Sequence, residues 1–266
     1  MCTAGLGKDA YYDEGKVKDG KKLVTKLYNA GKFVIKQLGD FDEGRSTPIS
    51  ELEDMDKWII YRLNAAAREM QTQFEKYEIG QALKVFENFF WRDFADNYLE
   101  MAKGRLYGQD RNKRLSAQLA LYTTFLGVLK LAAPFVPHIT EEMYHSSMDG
   151  EVLKSEETSG LFATNEGISS IHINDWPETE IRPDPDINKG AETALNVISE
   201  VRKYKTANQI RLGEPMGRVV IMADEDTLSI LEGFAGDITS TSRASELLLV
   251  NKDFQDSLPT DLVITI

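Results

Sequence analysis

From residue 16 to about residue 147, apolar positions recur at steps of three and four, the spacing of one face of a helix. Asp19 to Leu38 carries Leu23, Leu27, Ala30 and Val34 at that spacing. Pro48-Ile49-Ser50 then interrupts the pattern, and Ser50 with Glu53 reads as a capping box for the helix that follows. That helix carries Leu52, Met55, Ile59, Leu63, Ala66, Met70 and Phe74. Residues 79–103 read as a third helix, with Leu83, Phe86, Phe90, Phe94, Tyr98 and Met101 along one side. The turn Gly108-Gln109-Asp110 separates it from a fourth, marked by Leu115, Leu119, Tyr122, Leu126 and Leu129. Pro134 and Pro137 end that helix, and Pro137 suits the first turn of a short last one.

Beyond 147 the period fades. Residues 148–170 are rich in Ser, Thr, Glu and Gly and read as a long surface loop. Ile171-His172-Ile173 reads as a short extended segment, and Pro177 to Pro185 as a linker. Ile187 to Lys205 is again helical. Val219 to Met222 then reads as a buried strand, Thr227 to Phe234 as a helix, Leu247 to Val250 as a second strand and Leu262 to Ile264 as a third. The expected fold class is a mainly α-helical bundle followed by a small α/β domain. The expected division is a connecting stretch over 1–15, a helical domain over 16–177 and a C-terminal α/β domain over 178–266.

Composition narrows the function. Over 266 residues, 42% hydrophobic and 28% charged is the balance of a folded globular chain. No window approaches 18 uninterrupted apolar residues, so no membrane span is expected, and no secretory signal is seen at the start. The one cysteine, Cys2, excludes an internal disulfide and fits a cytoplasmic setting. The histidines are His138, His145 and His172, and without a His-Glu-x-x-His run no zinc site of standard spacing assembles. His138 reads as a structural hydrogen-bonding residue. Phosphate-loop, dinucleotide-binding and nucleophile-elbow patterns are missing too, so the chemistry of the residues points to no active site.

Charge changes the picture further. The net charge of −12 argues against a nucleic-acid binder. The positive charge is clustered, however, and clusters attract phosphates. Residues 1–36 hold eight lysines against four acids, and 100–115 and 200–218 each hold five Lys/Arg against two acids. Residues 223–266 hold nine acids against Arg243 and Lys252.

On the first helix, Lys22, Lys26, Asn29, Phe33 and Lys36 lie roughly opposite the core face. Cations for phosphate, an amide for base edges and an aromatic plane for stacking are what a single-stranded RNA loop requires. The competing expectation is that Phe33 packs under a neighbouring helix and the lysines are merely solvated. Phe86, Phe89, Phe90, Trp91, Phe94 and Tyr98 read as core. Lys103, Arg105, Arg111, Lys113 and Arg114 either guide an RNA backbone or cap a helix end. Arg202, Lys203 and Lys205 either touch phosphates or close their own helix.

Three stretches go beyond generic helices: Lys26-Leu27-Tyr28-Asn29-Ala30-Gly31-Lys32-Phe33, the run from Phe90-Trp91-Arg92-Asp93 to Lys103, and Leu131-Ala132-Ala133-Pro134-Phe135-Val136-Pro137-His138 with the residues up to Tyr144. In this order and spacing they resemble the anticodon-binding domain of class I aminoacyl-tRNA synthetases. Lys26 to Ala30, Asp93 to Glu100 and Ser170 to Pro177 make the valyl members the nearest. The likeness runs from about residue 3 to 177, and more loosely to 222. It implies that the helical domain is an anticodon-binding domain, that the partner is the anticodon stem and loop of valine tRNA, and that the first helix lies against that loop. The match at Lys26, Tyr28, Asn29 and Phe33 decides between the two expectations for this face in favour of RNA. It also implies a parent enzyme that uses ATP and Mg2+ on a catalytic domain with His-Ile-Gly-His and Lys-Met-Ser-Lys-Ser signatures. Neither occurs here, so the chain is expected to be a C-terminal part of a longer enzyme, of the shorter archaeal type. Residues 1–15 would be the connection from the catalytic domain. No cofactor and no valine activation are expected of the chain itself, and its partners would be tRNA and that catalytic domain, without a membrane and as a monomer. Isoleucyl and leucyl relatives, and a helical protein-interaction module with no RNA role, are the alternatives.

Overall fold

A computed structural model describes residues 13–41, 49–148, 170–177, 184–253 and 260–266. Most of the predicted 148–170 loop, most of the Pro177–Pro185 linker and the 1–15 connection apart from its last residues lie outside these.

Helix α1 spans Glu14–Leu38. It begins five residues earlier than the apolar spacing predicts, because Asp13 caps it, its Oδ1 accepting from Gly15 N–H at 2.8 Å. Leu23, Leu27, Ala30 and Val34 are buried as expected. Gly31 permits the close approach of the next layer: a Cβ there would stand 2.3 Å from Met143 Cε and 2.7 Å from Phe125 Cζ.

After a 3-10 turn over Ile49–Glu51 comes α2, Asp54–Glu75. The expected capping box does not form, since Ser50 sits inside that turn. The Glu53 carbonyl instead accepts from Asp56 N–H and Lys57 N–H. The Glu53 N–H finds a partner from another part of the chain, Ser116 Oγ at 2.9 Å. The predicted helix over 79–103 is three pieces: α3, Ile79–Asn88, a π-helical stretch, Phe89–Tyr98, and α4, Leu99–Leu106. Helix α5, Arg111–Ala132, is long and apolar enough by length and composition to cross a membrane. It is a core helix, with 94% of that stretch buried inside the fold. Helix α6 is Pro137–Met148. Ile171–Ile173 is a 3-10 turn and not an extended segment, because Glu141 gathers the Ser170 hydroxyl and the Ile171 N–H, each at 3.0 Å.

Helix α7, Pro185–Ala207, has Asp184 as its cap and proline in its first turn. Strand β1, Met216–Ala223, leads to α8, Glu225–Glu232, α9, Ala235–Ser242, β2, Ala244–Asn251, and β3, Leu262–Thr265. The sheet order is β2-β1-β3, all parallel, and Val219 pairs with Leu247 on one side and Leu262 on the other. The observed architecture is the expected one, a mainly helical assembly followed by a small α/β unit.

Among the described residues, contacts group the chain into two compact units that interleave in sequence. The first takes Met1–Glu51, Ile59–Asp96 and Gln118–Ile181; the second takes Leu52–Trp58, Asn97–Ala117 and Arg182–Ile266. This grouping follows different boundaries from a linear cut at 177. The first unit is filled by aromatic rings. Phe86 and Phe90 stack at 5.6 Å between centroids, and Phe94 stacks on Phe125 at 6.5 Å. Trp176 meets Phe74 edge-on and donates its indole N–H to the Ala67 carbonyl at 3.1 Å.

The second unit buries charge. Asp56 and Asp237 both bind Arg105, and all three side chains are shut off from solvent. The Arg105 Nε–Asp237 Oδ1 distance is 2.9 Å. The Tyr98 hydroxyl donates to Asp56 Oδ1 at 2.7 Å and the Ser116 hydroxyl to Asp56 Oδ2 at 2.5 Å. Burial and the neighbouring Asp56 charge push the Tyr98 hydroxyl well up. Burial pulls the Arg105 guanidinium down, but Asp56 and Asp237 together outweigh it and hold it above its ordinary value.

Two carboxylates share one guanidinium, so one negative charge is in excess. Burial raises the Asp237 carboxyl from 3.8 to about 6; Arg105 opposes the rise, and Asp56 and Glu53 add to it. Folded Asp237 therefore holds its proton more tightly than unfolded Asp237. Its contribution to stability is full below pH 3.8 and is lost as pH rises to about 6. Over that window Asp237→Asn should gain on wild type by on the order of 3 kcal/mol. Urea unfolding of both proteins at several pH values between 4 and 7 (about one unit apart) checks this, because titrating groups not coupled to Asp237 cancel in the difference. A pH-independent difference would exclude it.

Candidate nucleic-acid interface

Successive residues of a helix turn by about 100°. Measured from the buried stripe of α1, Lys26 and Phe33 therefore lie only about 70–90° round, Lys22 and Asn29 further, and Lys36 about 150° round. The predicted face is thus not one outward stripe; it runs from the flank of the helix to its exposed pole. The environments follow. Lys22, Asn29 and Lys36 are exposed, and Lys22 Nζ pairs with Asp19 at 2.8 Å. Phe33 is half-buried. Lys26 keeps 35% of its side chain exposed. Its Nζ lies 2.9 Å from Asp96 Oδ1 and 5.7 Å from the centroid of the Trp91 ring.

Tyr28, part of the matched stretch but not among the predicted contacts, stands on the surface as well. Tyr28 is 43% exposed on the outer side of α1, and Lys32 Nζ stands 5.3 Å from its ring centroid. An aromatic and a lysine four residues apart on a helix are a legible signal for such a pair. The same unit shows Arg92 outward, while Arg62 Nε binds the buried Asp93 at 2.8 Å. Near the start of α1, burial and the Asp19 charge raise the Glu87 carboxyl.

The second group of candidates belongs to the second unit and divides. Lys103 pairs with Glu100 at 2.6 Å, Lys203 with Glu200 at 2.7 Å, and Lys113 lies 3.9 Å from Glu53. Arg111 is exposed, and Arg114 and Arg202 are half-buried, with Arg202 Nη1 3.5 Å from Asn97 Oδ1. Arg105 and Lys205 are corrected. Arg105 is consumed by Asp56 and Asp237. Lys205 is 1% exposed and gives its ammonium to three main-chain carbonyls, of Leu212 at 3.2 Å, Glu214 at 2.6 Å and Ser242 at 2.9 Å. Neither can reach a phosphate. Among the described residues no cluster of three or more His, Cys, Asp or Glu is placed to hold a metal ion.

Residues 56–221 match a family described as the anticodon-binding domain of tRNA ligase. The valine–tRNA ligase of Pyrococcus furiosus is 34% identical over 235 residues, covering 88% of this chain and 25% of the relative. That of Pyrococcus horikoshii is 34% identical over 250 residues, 94% of this chain and 26% of the relative. That of Rickettsia canadensis is 32% identical over 273 residues, 99% of this chain and 31% of the relative. The chain thus spans a quarter to a third of the length of these relatives. With the family matching well over half of its length, and with a helical assembly and a basic, aromatic-bearing first helix in place, the chain belongs to the anticodon-binding domains of tRNA ligases.

Proposed function

We propose that this chain binds the anticodon stem and loop of valine tRNA, as the anticodon-binding part of a valine–tRNA ligase. The family match over 56–221 carries this reading, and the name shared by the relatives above supports valine as the amino acid. Lys22, Lys26, Asn29, Phe33 and Lys36 are the proposed contacts on α1, joined by Tyr28 and Lys32. Arg202, Lys203, Lys103, Arg111, Lys113 and Arg114 are proposed as backbone contacts of the second unit. The proposed parent enzyme joins valine to its tRNA with ATP and Mg2+ on a separate catalytic domain and acts in the cytoplasm as a monomer. The described residues offer no fit for the metal, so no step of that chemistry is drawn from them.

Titration with valine tRNA, and with the same tRNA carrying another anticodon, tests the reading. Affinity should be weak, should favour the valine anticodon and should fall steeply from about 50 to about 200 mM salt. Equal affinity for both tRNAs, or no salt dependence, would overturn it. In the same assay Phe33→Ala should weaken binding of the valine tRNA by about 1–3 kcal/mol if its exposed edge stacks on a base. Because Phe33 is only half-buried, thermal melts should show less than the 3–5 kcal/mol typical of truncating a core phenylalanine. A full core-sized loss with unchanged affinity of the folded protein would remove Phe33 from the interface.

A further inference from the structure

The π-helical stretch Phe89–Tyr98 meets two other helices through its charged residues. In an α-helix, residues five apart point about 140° away from each other. In a π-helix the hydrogen bonds run from i to i+5, and such residues sit one above the other. Trp91 and Asp96 are five apart, and the π register brings both to Lys26 of α1, the carboxylate at 2.9 Å and the ring centroid at 5.7 Å. Asp93, between them in the chain, meets α2 instead. It keeps only 4% of its side chain in solvent and accepts from Arg62 Nε at 2.8 Å. Arg62 keeps 42% of its side chain exposed, and among the described residues its two terminal nitrogens make no further hydrogen bond or ion pair. Arg92, 74% exposed, stands beside the same carboxylate, its Nε 3.8 Å from Asp93 Oδ1. One helical stretch thus holds a candidate cation from α1 and another from α2.

We propose that Arg62 is a phosphate-binding residue for RNA, held ready by Asp93. The inference rests on the RNA-binding reading above and deepens it, adding a backbone contact on α2 to the predicted face of α1. A guanidinium carries five N–H groups in a planar fork. Asp93 takes the one on Nε. The four on the terminal nitrogens remain, and two of them together match two oxygens of a phosphate. A flexible surface arginine loses rotamer freedom when it makes such a contact; Arg62, anchored at Nε, loses less.

The buried Asp93 needs a cation whatever its purpose, and a lysine would meet that need. An arginine meets it with one nitrogen and keeps a planar fork for a second oxyanion. A carboxylate on a protein partner has the shape for the same fork. Lys26, Arg62 and Arg92 around one stretch favour a polyanion over a lone carboxylate, and RNA is the polyanion of the family matched above.

The test uses the double variant Arg62→Met with Asp93→Asn, which removes the pair without changing the net charge. The long-range attraction of RNA is therefore unaltered. Neutral groups in place of a buried ion pair should leave stability near that of wild type, whereas Arg62→Met alone strands a buried carboxylate; thermal melts compare the two. Titrated with valine tRNA, the double variant should bind about five- to tenfold more weakly at low salt, between an exposed ion pair and a charged hydrogen bond. Its plot of log affinity against log salt should be shallower by about 0.7–0.9, the share of one phosphate. Phosphates carry no sequence, so the same tRNA with another anticodon should lose the same factor. Arg62→Lys keeps a cation for Asp93 but no fork, and should also bind several-fold more weakly; it carries the test if the double variant does not fold. Unchanged affinity in the double variant, or weaker binding at an unchanged slope, would reduce the pair to a structural one and overturn the proposal. Wild-type affinity in Arg62→Lys would do the same, and a loss confined to the valine anticodon would make Arg62 a base contact instead. If wild type binds no tRNA, the function proposed above fails and this contact with it; tRNA binding indifferent to Arg62 sinks the contact alone.

Discussion

Replacing Arg105 by methionine should lower the unfolding free energy by about 3–5 kcal/mol, the loss expected when one partner of a buried ion pair is removed. Methionine fills the space of the arginine stem, so packing is largely kept and the measured loss is electrostatic. Asp56, fully buried, would keep its hydrogen bonds from Tyr98 and Ser116 but lose its only described cation. Asp237 would lose its partner on α9 as well. Below about pH 6 Asp237 is protonated and needs the cation less, so the loss should be smaller at pH 5 than at pH 7. Urea denaturation at both pH values measures it. A loss below about 1 kcal/mol at pH 7 would show that water reaches the cluster and replaces the guanidinium.

Lys205→Met should be the second largest, about 2–4 kcal/mol. A buried ammonium is tolerated only where acceptors replace its water, and here three carbonyls do so. Burial and the nearby Arg243 charge lower the Lys205 pKa, with Glu214 opposing them. Each acceptor stranded without a donor costs about 1–3 kcal/mol; those of Leu212 and Glu214 lie in the turn after α7 and can recover part of that from solvent. The ammonium therefore ties this turn to the end of α9. Amide exchange in residues 208–215 should quicken in the variant even where the strands stay protected. Stability within about 1 kcal/mol of wild type, with unchanged exchange, would reduce Lys205 to a space-filling stem.

These two residues show where reading the sequence stops. Both stand in basic clusters, and both were candidates for phosphate contact. What removes them is a partner far along the chain: Asp237 lies 132 residues from Arg105, and the Ser242 carbonyl 37 residues from Lys205. Charge has no spacing rule that reveals such a partner. Apolar residues do. Leu23, Leu27 and Val34, and Phe86, Phe90, Phe94 and Tyr98, were identified as core by helical spacing and are almost wholly buried. The strand around Val219–Ile221 was legible for a related reason, since a parallel strand covered on both faces reads as an unbroken apolar run. Helix α9 escaped notice because Ala-Gly-Asp-Ile-Thr-Ser-Thr-Ser offers Ile238 as its one large apolar residue. The π register was invisible for a different reason: its aromatic steps of four also fit an α-helix. The candidate site suffered accordingly. Lys26 was found, but the Asp96 and Trp91 around it depend on that register.

The interleaved makeup of the second unit sets a schedule for the chain as it is made. Asp56 and Arg105 leave the ribosome before their partner, and Asp237 follows 132 residues after Arg105. At 5–20 residues per second this is a wait of roughly 7–26 s. The central strand β1 must also wait for both of its parallel neighbours, β2 and then β3. Such distant pairings form slowly. The aromatic core of the first unit ends far earlier in the chain, with Trp176. The first unit can therefore gather its core while translation is still under way. The second closes only after Asp237 and β3 have been made, with the charges of Asp56 and Arg105 kept in water until then.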